Sequence, residues 1–461
     1  MADAPLSLPD DPDLGWLRKR AKDLRRDHPE WKLADAQRVL ARRFGYPSWP
    51  ALKRYVELVR SYRRAPDLVP EQDDPRDEFL RLGSLTYGAD DPARWAAAAA
   101  MQVPVDTVHV AASRADVAAL RRLLVDGSAT REGGPFAWAP LAYLAYARHD
   151  PHVTEAQVLG SARLLLEHGA DPDTGYLWHG LPSPFTALTG CFGRGEGDQP
   201  PHPHGPALAR TLLEAGADPN DAQTLYNRQF RRDDSHLELL FEFGLGTGDG
   251  GPWRRRLGRA AMSPAEMLGR QLGWAAVHGM DERVALLVAH GVDPAIPVTM
   301  YGVQAGSAHA AALAAGHVTT AELLASLGAD ATSSPEERVV AAVLAGTNPD
   351  PALVQGAIRE RPGLVAWAAH HGNHAAVRRA VELGWDVDRR ARTDVPSDQP
   401  WETGLHAAAG QGDREMVQLL LELGADPDVT DTRFGGTPAD WAEHFGHVDL
   451  AAHLREAGRR G

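Results

Sequence analysis

A chain of 461 residues with 43% hydrophobic content can bury a large core, and its single cysteine, Cys191, excludes a disulfide framework and any cysteine-rich zinc site. The net charge is −14, and no stretch of about 18 uncharged apolar residues occurs, which argues against a membrane span; with no leader-like apolar start, a cytoplasmic location is expected.

Charge is unevenly placed. The four lysines, Lys19, Lys22, Lys32 and Lys53, all fall near the start. Residues 14–64 hold 15 Lys and Arg against Asp23, Asp27, Glu30, Asp35 and Glu57, a net of +10 that leaves −24 for the remainder. Apolar spacing predicts helices over 14–24, 33–44 and 50–62, the second with Asp35 in its first turn and the third entered through Tyr46-Pro47-Ser48-Trp49. Residues 1–64 therefore read as a basic three-helix head. Residues 65–80, rich in proline and acids, read as a linker. A head of this charge, tethered to an acidic remainder, is expected to dock on it electrostatically and to be released by salt.

From residue 81 the chain repeats itself. An alanine-rich helix over 95–101 leads into a unit at 107–127, and the pattern continues to the end, with insertions near 193–206 (GRGEGDQPPHPHGP) and 244–262 that read as exposed loop and linker. The segment 335–361 has paired helices but lacks the glycine spacing of the others. The clearest unit is 403–428, TGLHAAAGQGDREMVQLLLELGADPD. Leu405, Ala408 and Ala409 form one apolar stripe and Met416, Val417, Leu420 and Leu421 another, so each of two short helices must bury a face on a neighbour. Gly412 separates the helices, and Gly424 stands where a left-handed residue caps the second. The same distance of twelve joins Gly279 to Gly291, Gly316 to Gly328, Gly372 to Gly384 and Gly446 to Gly458, while Ala115 and Gly127 form a degraded copy.

These pieces, with GGTPADWAEHFGH and LLEAGADPN, resemble ankyrin repeats, over roughly residues 105–460. The TPLH box of that family is intact nowhere, and finger segments such as 175–183 interrupt the period. The string LADAQRVLARRFGYPSWPALKRYVE in the head resembles a short element found ahead of such arrays in bacterial proteins. The resemblance implies an all-α chain: a solenoid of about nine helix-turn-helix units with finger loops over 81–461, preceded by the small helical head.

Catalytic signals are weak. There is no GxSxG or HExxH motif, and Cys191 reads as a packed thiol. The glycines of GLGTGDGG precede no GK[ST] and read as linker. His109 and His406 occupy the TPLH histidine slot, and His317 and His447 follow the inter-helix glycine, where the resemblance implies that they tie down backbone. His370, His371 and His374 suggest a metal cluster, but Gly372 sets His370 and His374 on different helices. No cofactor is called for.

What remains is a surface. The resemblance implies that the two positions before each inter-helix glycine face the concave side: Ser113 and Arg114, Val277 and His278, Ala314 and Ala315, His370 and His371, Gly410 and Gln411, His444 and Phe445. Finger residues add Tyr176, Trp178, His179, Tyr301 and Trp401, rings in segments that do not need them for packing. The leading expectation is a scaffold that binds a protein or peptide partner on the concave face. The alternative is a small-molecule or enzymatic pocket lined by its His, Trp and Tyr residues. A third reading, nucleic-acid binding by Arg18, Lys19, Arg20, Lys22, Arg25 and Arg26 with Trp16, Trp31 and Trp49, is disfavoured because the net charge repels phosphates at long range.

Overall fold

The computed structural model describes residues 8, 12–88, 91–125, 127–300, 303–393 and 397–459. Two compact units divide the chain, Met1–Met267 and Leu268–Gly461.

The first unit opens with α1 (Leu14–Asp27), α2 (Leu33–Arg43) and α3 (Trp49–Tyr62), which enclose a core of Leu17, Ala21, Leu24, Ala36, Leu40, Phe44, Leu52 and Val56. Trp16, Trp31 and Trp49 pack partly buried against that core. The side chains of Asp13 and Ser48 accept the first free amides of α1 and α3, which fixes where those helices begin. Next come β1 (Arg63–Arg64), α4 (Pro75–Gly83), α5 (Pro92–Ala100), α6 (Val108–Ser113), α7 (Val117–Leu123), α8 (Pro140–Tyr146), α9 (Glu155–Glu167) and the hairpin β2 (Gly175–Trp178) and β3 (Pro184–Thr186). The unit continues through α10 (Ala187–Phe192), α11 (Gly205–Glu214), α12 (Ala222–Arg228), α13 (Ser235–Glu242) and α14 (Gly251–Leu257). Alternate helices pack in two rows, α4, α6, α8, α10 and α12 in one and α7, α9 and α11 in the other.

Division between the units falls inside α15 (Pro264–Val277). The second unit continues through α16 (Asp281–Ala289), the hairpin β4 (Pro297–Met300) and β5 (Val303–Ser307), then α17 (Ala308–Ala315), α18 (Val318–Ser326), α19 (Pro335–Leu344) and α20 (Val354–Glu360). It ends in α21 (Leu364–His370), α22 (His374–Leu383), the hairpin β6 (Ala391–Arg392) and β7 (Ser397–Glu402), α23 (Gly404–Gln411), α24 (Arg414–Glu422), α25 (Pro438–His444) and α26 (Val448–Gly458). Short helices this numerous need their ends satisfied. Thr403, Asp413 and Thr437 accept the amides of residues three further on, in front of α23, α24 and α25. Gly412 and Gly424 sit at φ +72° and +91°, the left-handed region in which each helix ends. Ala115 adopts φ +50° in the same slot, a conformation a non-glycine residue enters at a cost.

Several expectations change. The chain is mostly helical rather than all-α, because three finger segments satisfy their extended backbone as antiparallel hairpins. The stretch 65–80 is no plain linker: it holds a short 3-10 turn at Pro66–Leu68 and the start of α4, and β1 just before it pairs in parallel with β2, Arg63 opposite Leu177. The insertion 193–206 is exposed at Glu196–Asp198, Pro203 and Pro206 but buries His202 and Gly205. Residues 244–262 include α14, whose Trp253 is buried. The segment 335–361 does form its expected pair of helices, α19 and α20.

Candidate binding surface

In the second unit, the ends of α21, α23 and α25 place their side chains next to one another. The Gln411 side-chain amide donates to the His370 carbonyl at 2.9 Å. Over Gly410, the rings of Phe445 and Trp441 lie so close that an added Cβ would stand 3.3 Å from each. His444 meets Phe445 edge-to-face at 4.9 Å, and Phe445 is 57% exposed. The row His370, Gln411, Phe445 and His444 is thus one surface, with a fixed aromatic ring among hydrogen-bonding groups.

His371 and His278 use their rings differently. His371 lies on Trp367, centroids 3.9 Å apart, and its Nδ1 donates to the Trp367 carbonyl at 2.9 Å. His278 repeats this on Trp274 at 3.9 Å with a 2.9 Å bond. Burial pulls His278 down to about 4, opposed by that hydrogen bond and reinforced by His371, His317 and Arg283. Desolvation of its packed face lowers His371 too, with His317 and Arg361 adding to the effect. Three histidines from three inter-helix turns therefore stand within electrostatic reach of one another, with His278 and His371 held neutral at pH 7.

The finger that leads into α23 carries Trp401, with the Arg433 guanidinium 4.7 Å from its ring centre and that of Arg392 at 5.9 Å. Arg433 also lies 5.5 Å from the ring of Phe434, which is 72% exposed. The turn is built by Asp431, whose carboxylate accepts the amides of Arg433, Phe434 and Gly436 at 2.8, 2.6 and 2.8 Å and the Trp441 indole at 3.1 Å. Burial pushes this carboxyl up, but the donors outweigh it and hold it at about 2. Arg433 and Phe434 were not singled out from sequence; the available signal was a bulky aromatic in a glycine-rich turn.

First-unit positions are engaged elsewhere. Tyr176 is 2% exposed, stacked on Trp138 at 5.0 Å and Phe185 at 5.7 Å, so its ring is needed for packing after all. The Trp178 indole donates to the Thr86 carbonyl at 3.1 Å, and His179 Nε2 meets Asp67 at 2.7 Å. Arg114 spans the Phe79 ring at 4.5 Å and donates to the Met101 carbonyl at 3.0 Å. Tyr301 lies outside the described residues. Arg18, Lys19, Lys22, Arg25 and Arg26 are exposed on α1.

Chemistry of other kinds finds little footing. His370 ends α21 and His374 begins α22, and among the described residues no three His, Cys, Asp or Glu side chains are grouped to hold a metal. His109 and His406 bond the carbonyls of Arg131 and Gly436 at 2.8 and 3.0 Å, the backbone-tying role expected of their slot. Cys191 is buried, which pushes its thiol far up. A cavity of about 10 Å³, room for roughly one water, lies among Ser113, Arg114, His149 and His202. A second, of about 320 Å³, is bordered by Asp173, Asp218, Asn220, Asp249 and Arg255. Neither is lined by the finger rings. No helix of the described residues is long and apolar enough to cross a membrane.

Comparison with known proteins agrees with the repeat geometry. A family model described as ankyrin repeats (many copies) matches residues 365–421 and 405–454. The palmitoyltransferase Hip14 of Drosophila melanogaster is 35% identical over 91 residues, 20% of this chain and 13% of that protein. Human diacylglycerol kinase iota is 33% identical over 131 residues, 26% of this chain and 12% of the kinase. The potassium channel AKT1 of Arabidopsis thaliana is 39% identical over 89 residues, 19% of this chain and 10% of the channel. This chain therefore spans about a tenth of the length of these relatives, whose named activities differ from one another. Matched spacing, left-handed caps and paired helices coincide over one stretch: residues 365–454 are ankyrin repeats.

Proposed function

We propose that this chain is a protein–protein interaction scaffold whose repeats extend over 81–461 and whose partner, a protein or peptide, binds at the C-terminal repeats. Ankyrin repeats generally mediate protein–protein interaction, which supplies the class. Support for the longer array comes from the positive φ of Gly279, Gly291, Gly316 and Gly328, the spacing of twelve repeated outside the matched stretch. The observation that carries the choice of face is Phe445: a large ring, 57% exposed, braced over Gly410 beside the Gln411–His370 hydrogen bond. A rigid aromatic costs little side-chain entropy on binding and gains from burial, the usual profile of an interface anchor. Trp401, Arg433 and Phe434 extend the surface along the finger.

A peptide library selected on the full-length chain, followed by calorimetric titration of a recovered peptide, tests this reading. Phe445→Ala should weaken binding at least tenfold, and Arg378→Ala, exposed on α22, should leave it unchanged. Equal affinity for the Phe445→Ala chain, or no peptide recovered, would remove the assignment.

A further inference from the structure

We propose that the edge of β2, with His179 just beyond it, is a strand-addition site for an extended peptide of the form Arg-Arg-x-Pro-Asp, and that the chain closes this site with its own residues 63–67. The site is separate from the surface at the C-terminal repeats.

β2 has two edges. β3 takes one in antiparallel register, Gly175 opposite Thr186, and β1 covers the other in parallel register, Arg63 opposite Leu177 and Arg64 opposite Trp178. The His179 amide continues that ladder by donating to the Arg64 carbonyl at 2.8 Å. Past the strand, Pro66 is buried, and the Asp67 carboxylate accepts from His179 Nε2 at 2.7 Å. Arg63 Nε donates to the His179 carbonyl at 3.3 Å, and the Arg64 guanidinium meets Glu132 at 2.9 Å. Backbone pairing that leaves side chains to neighbouring pockets is how a sheet edge reads a linear peptide. The seated segment thus shows the chemistry the edge takes: a guanidinium for Glu132 and, three residues later, a carboxylate for His179.

Residues 63–67 are a displaceable occupant because the apolar anchorage of the head lies elsewhere. Val59 and Tyr62 of α3 pack with Trp253 and Leu257, whereas within 63–67 only Pro66 is buried and the strand is two residues long. Neither Val59 nor Tyr62 belongs to the core that α1, α2 and α3 enclose, so the head can leave without unfolding. Its departure uncovers backbone donors and acceptors along β2, a template for another strand. Trp178 stays bonded to Thr86, which lies outside the departing segment, and holds the edge in place. While the head is docked, its tether keeps residues 63–67 at an effective concentration of about a millimolar, against which a dilute peptide does not compete.

The experiment is fluorescence anisotropy of a labelled synthetic peptide, SYRRAPDLV, which spans residues 61–69. It is titrated with the full-length chain and with the full-length double variant Val59→Ala, Tyr62→Ala, whose helicity is checked by circular dichroism and whose head departure is read by dyes on Lys22→Cys and Arg163→Cys. The opened variant should bind the peptide at least tenfold more tightly than the unmodified chain. His179→Ala in the opened chain, or Asp67→Asn in the peptide, should remove most of that gain. Should the double variant lose helicity, Trp253→Ala opens the same junction with α3 intact and should give the same order of affinities. Equal binding to closed and opened chains, no binding to a chain whose head has left, or binding indifferent to both His179→Ala and Asp67→Asn would overturn the proposal. So would a dimer of the opened chain, seen by sedimentation, that excludes the peptide, since the edge would then belong to a second copy.

Discussion

Truncating Trp253 should detach the head from the other helices of the first unit, and 1 M salt should not. Trp253 is 6% exposed and packs with Val59 of α3, Leu177 of β2 and Leu257, all buried. Its ring meets Tyr62 edge-to-face at 5.0 Å, and its indole donates to the Asp173 carbonyl at 2.9 Å. Removing such a ring forfeits its transfer free energy and leaves a cavity, about 3–5 kcal/mol for Trp→Ala. The charged contacts at this junction are smaller. The His179–Asp67 and Arg64–Glu132 pairs, at 2.7 and 2.9 Å, each keep at least one partly exposed partner, so each is worth about 1 kcal/mol or less. Raising salt to 1 M shortens the screening length to about 3 Å and weakens these pairs, but leaves apolar burial and the β1–β2 hydrogen bonds intact. Dyes placed on Lys22→Cys and Arg163→Cys, both exposed positions, report the distance, because the native Cys191 is buried and stays unlabelled. Transfer efficiency should be flat from 0.05 to 1 M NaCl and should fall in Trp253→Ala. A salt-dependent distance in the unmodified sequence would refute this account and restore the electrostatic docking expected from charge alone.

Leu420→Ala empties a fully buried position on α24 and should cost about 2–5 kcal/mol in urea unfolding. At Gly424 an added Cβ meets nothing, so Gly424→Ala should cost only the left-handed backbone strain, about 1–2 kcal/mol; Gly412→Ala adds a Cβ 2.6 Å from the His447 ring and should cost clearly more by the same measurement. Acid should destabilise the fold: burial holds His149 and His278 at about 4 against an ordinary 6.5, so the unfolded chain takes up protons first. Stability from these rings is complete above pH 6.5 and lost toward pH 4, at most about 3 kcal/mol per ring, while Asp173, raised to about 6 by burial, works in the opposite sense. Urea midpoints measured across pH 4–7 should rise with pH, and His278→Gln should flatten the rise.

The repeat units were legible because their constraints are local. A left-handed turn between two short helices favours glycine, and twelve residues later the next helix end does so again, so Gly412 and Gly424 announce themselves without any tertiary information. Phe445 was legible for the same reason, being fixed by its slot. The first finger was not. Tyr176 and Trp178 belong to a four-residue strand that pairs with β1 114 positions upstream, and nothing in GYLW marks that pairing. Residues 65–80 read as a linker from proline and acid content. Polar composition, however, does not distinguish solvated backbone from backbone and carboxylates that find specific partners, as Asp67 does in His179.

The same reasoning separates the two fingers as sites. A finger ring contributes to binding only if the partner gains more than the ring gives up. Trp178 would have to surrender its bond to Thr86, and His179 its pairing with Asp67, before either could face a new ligand. Phe434 and Phe445 surrender mainly water, being 72% and 57% exposed, and Asp431 has already fixed the turn that presents Phe434. Sequence places aromatics in both fingers and treats them alike. The difference between them is whether the rest of the fold has already used the ring, and that depends on contacts 92 and 112 residues apart in the first finger and fewer than forty in the last.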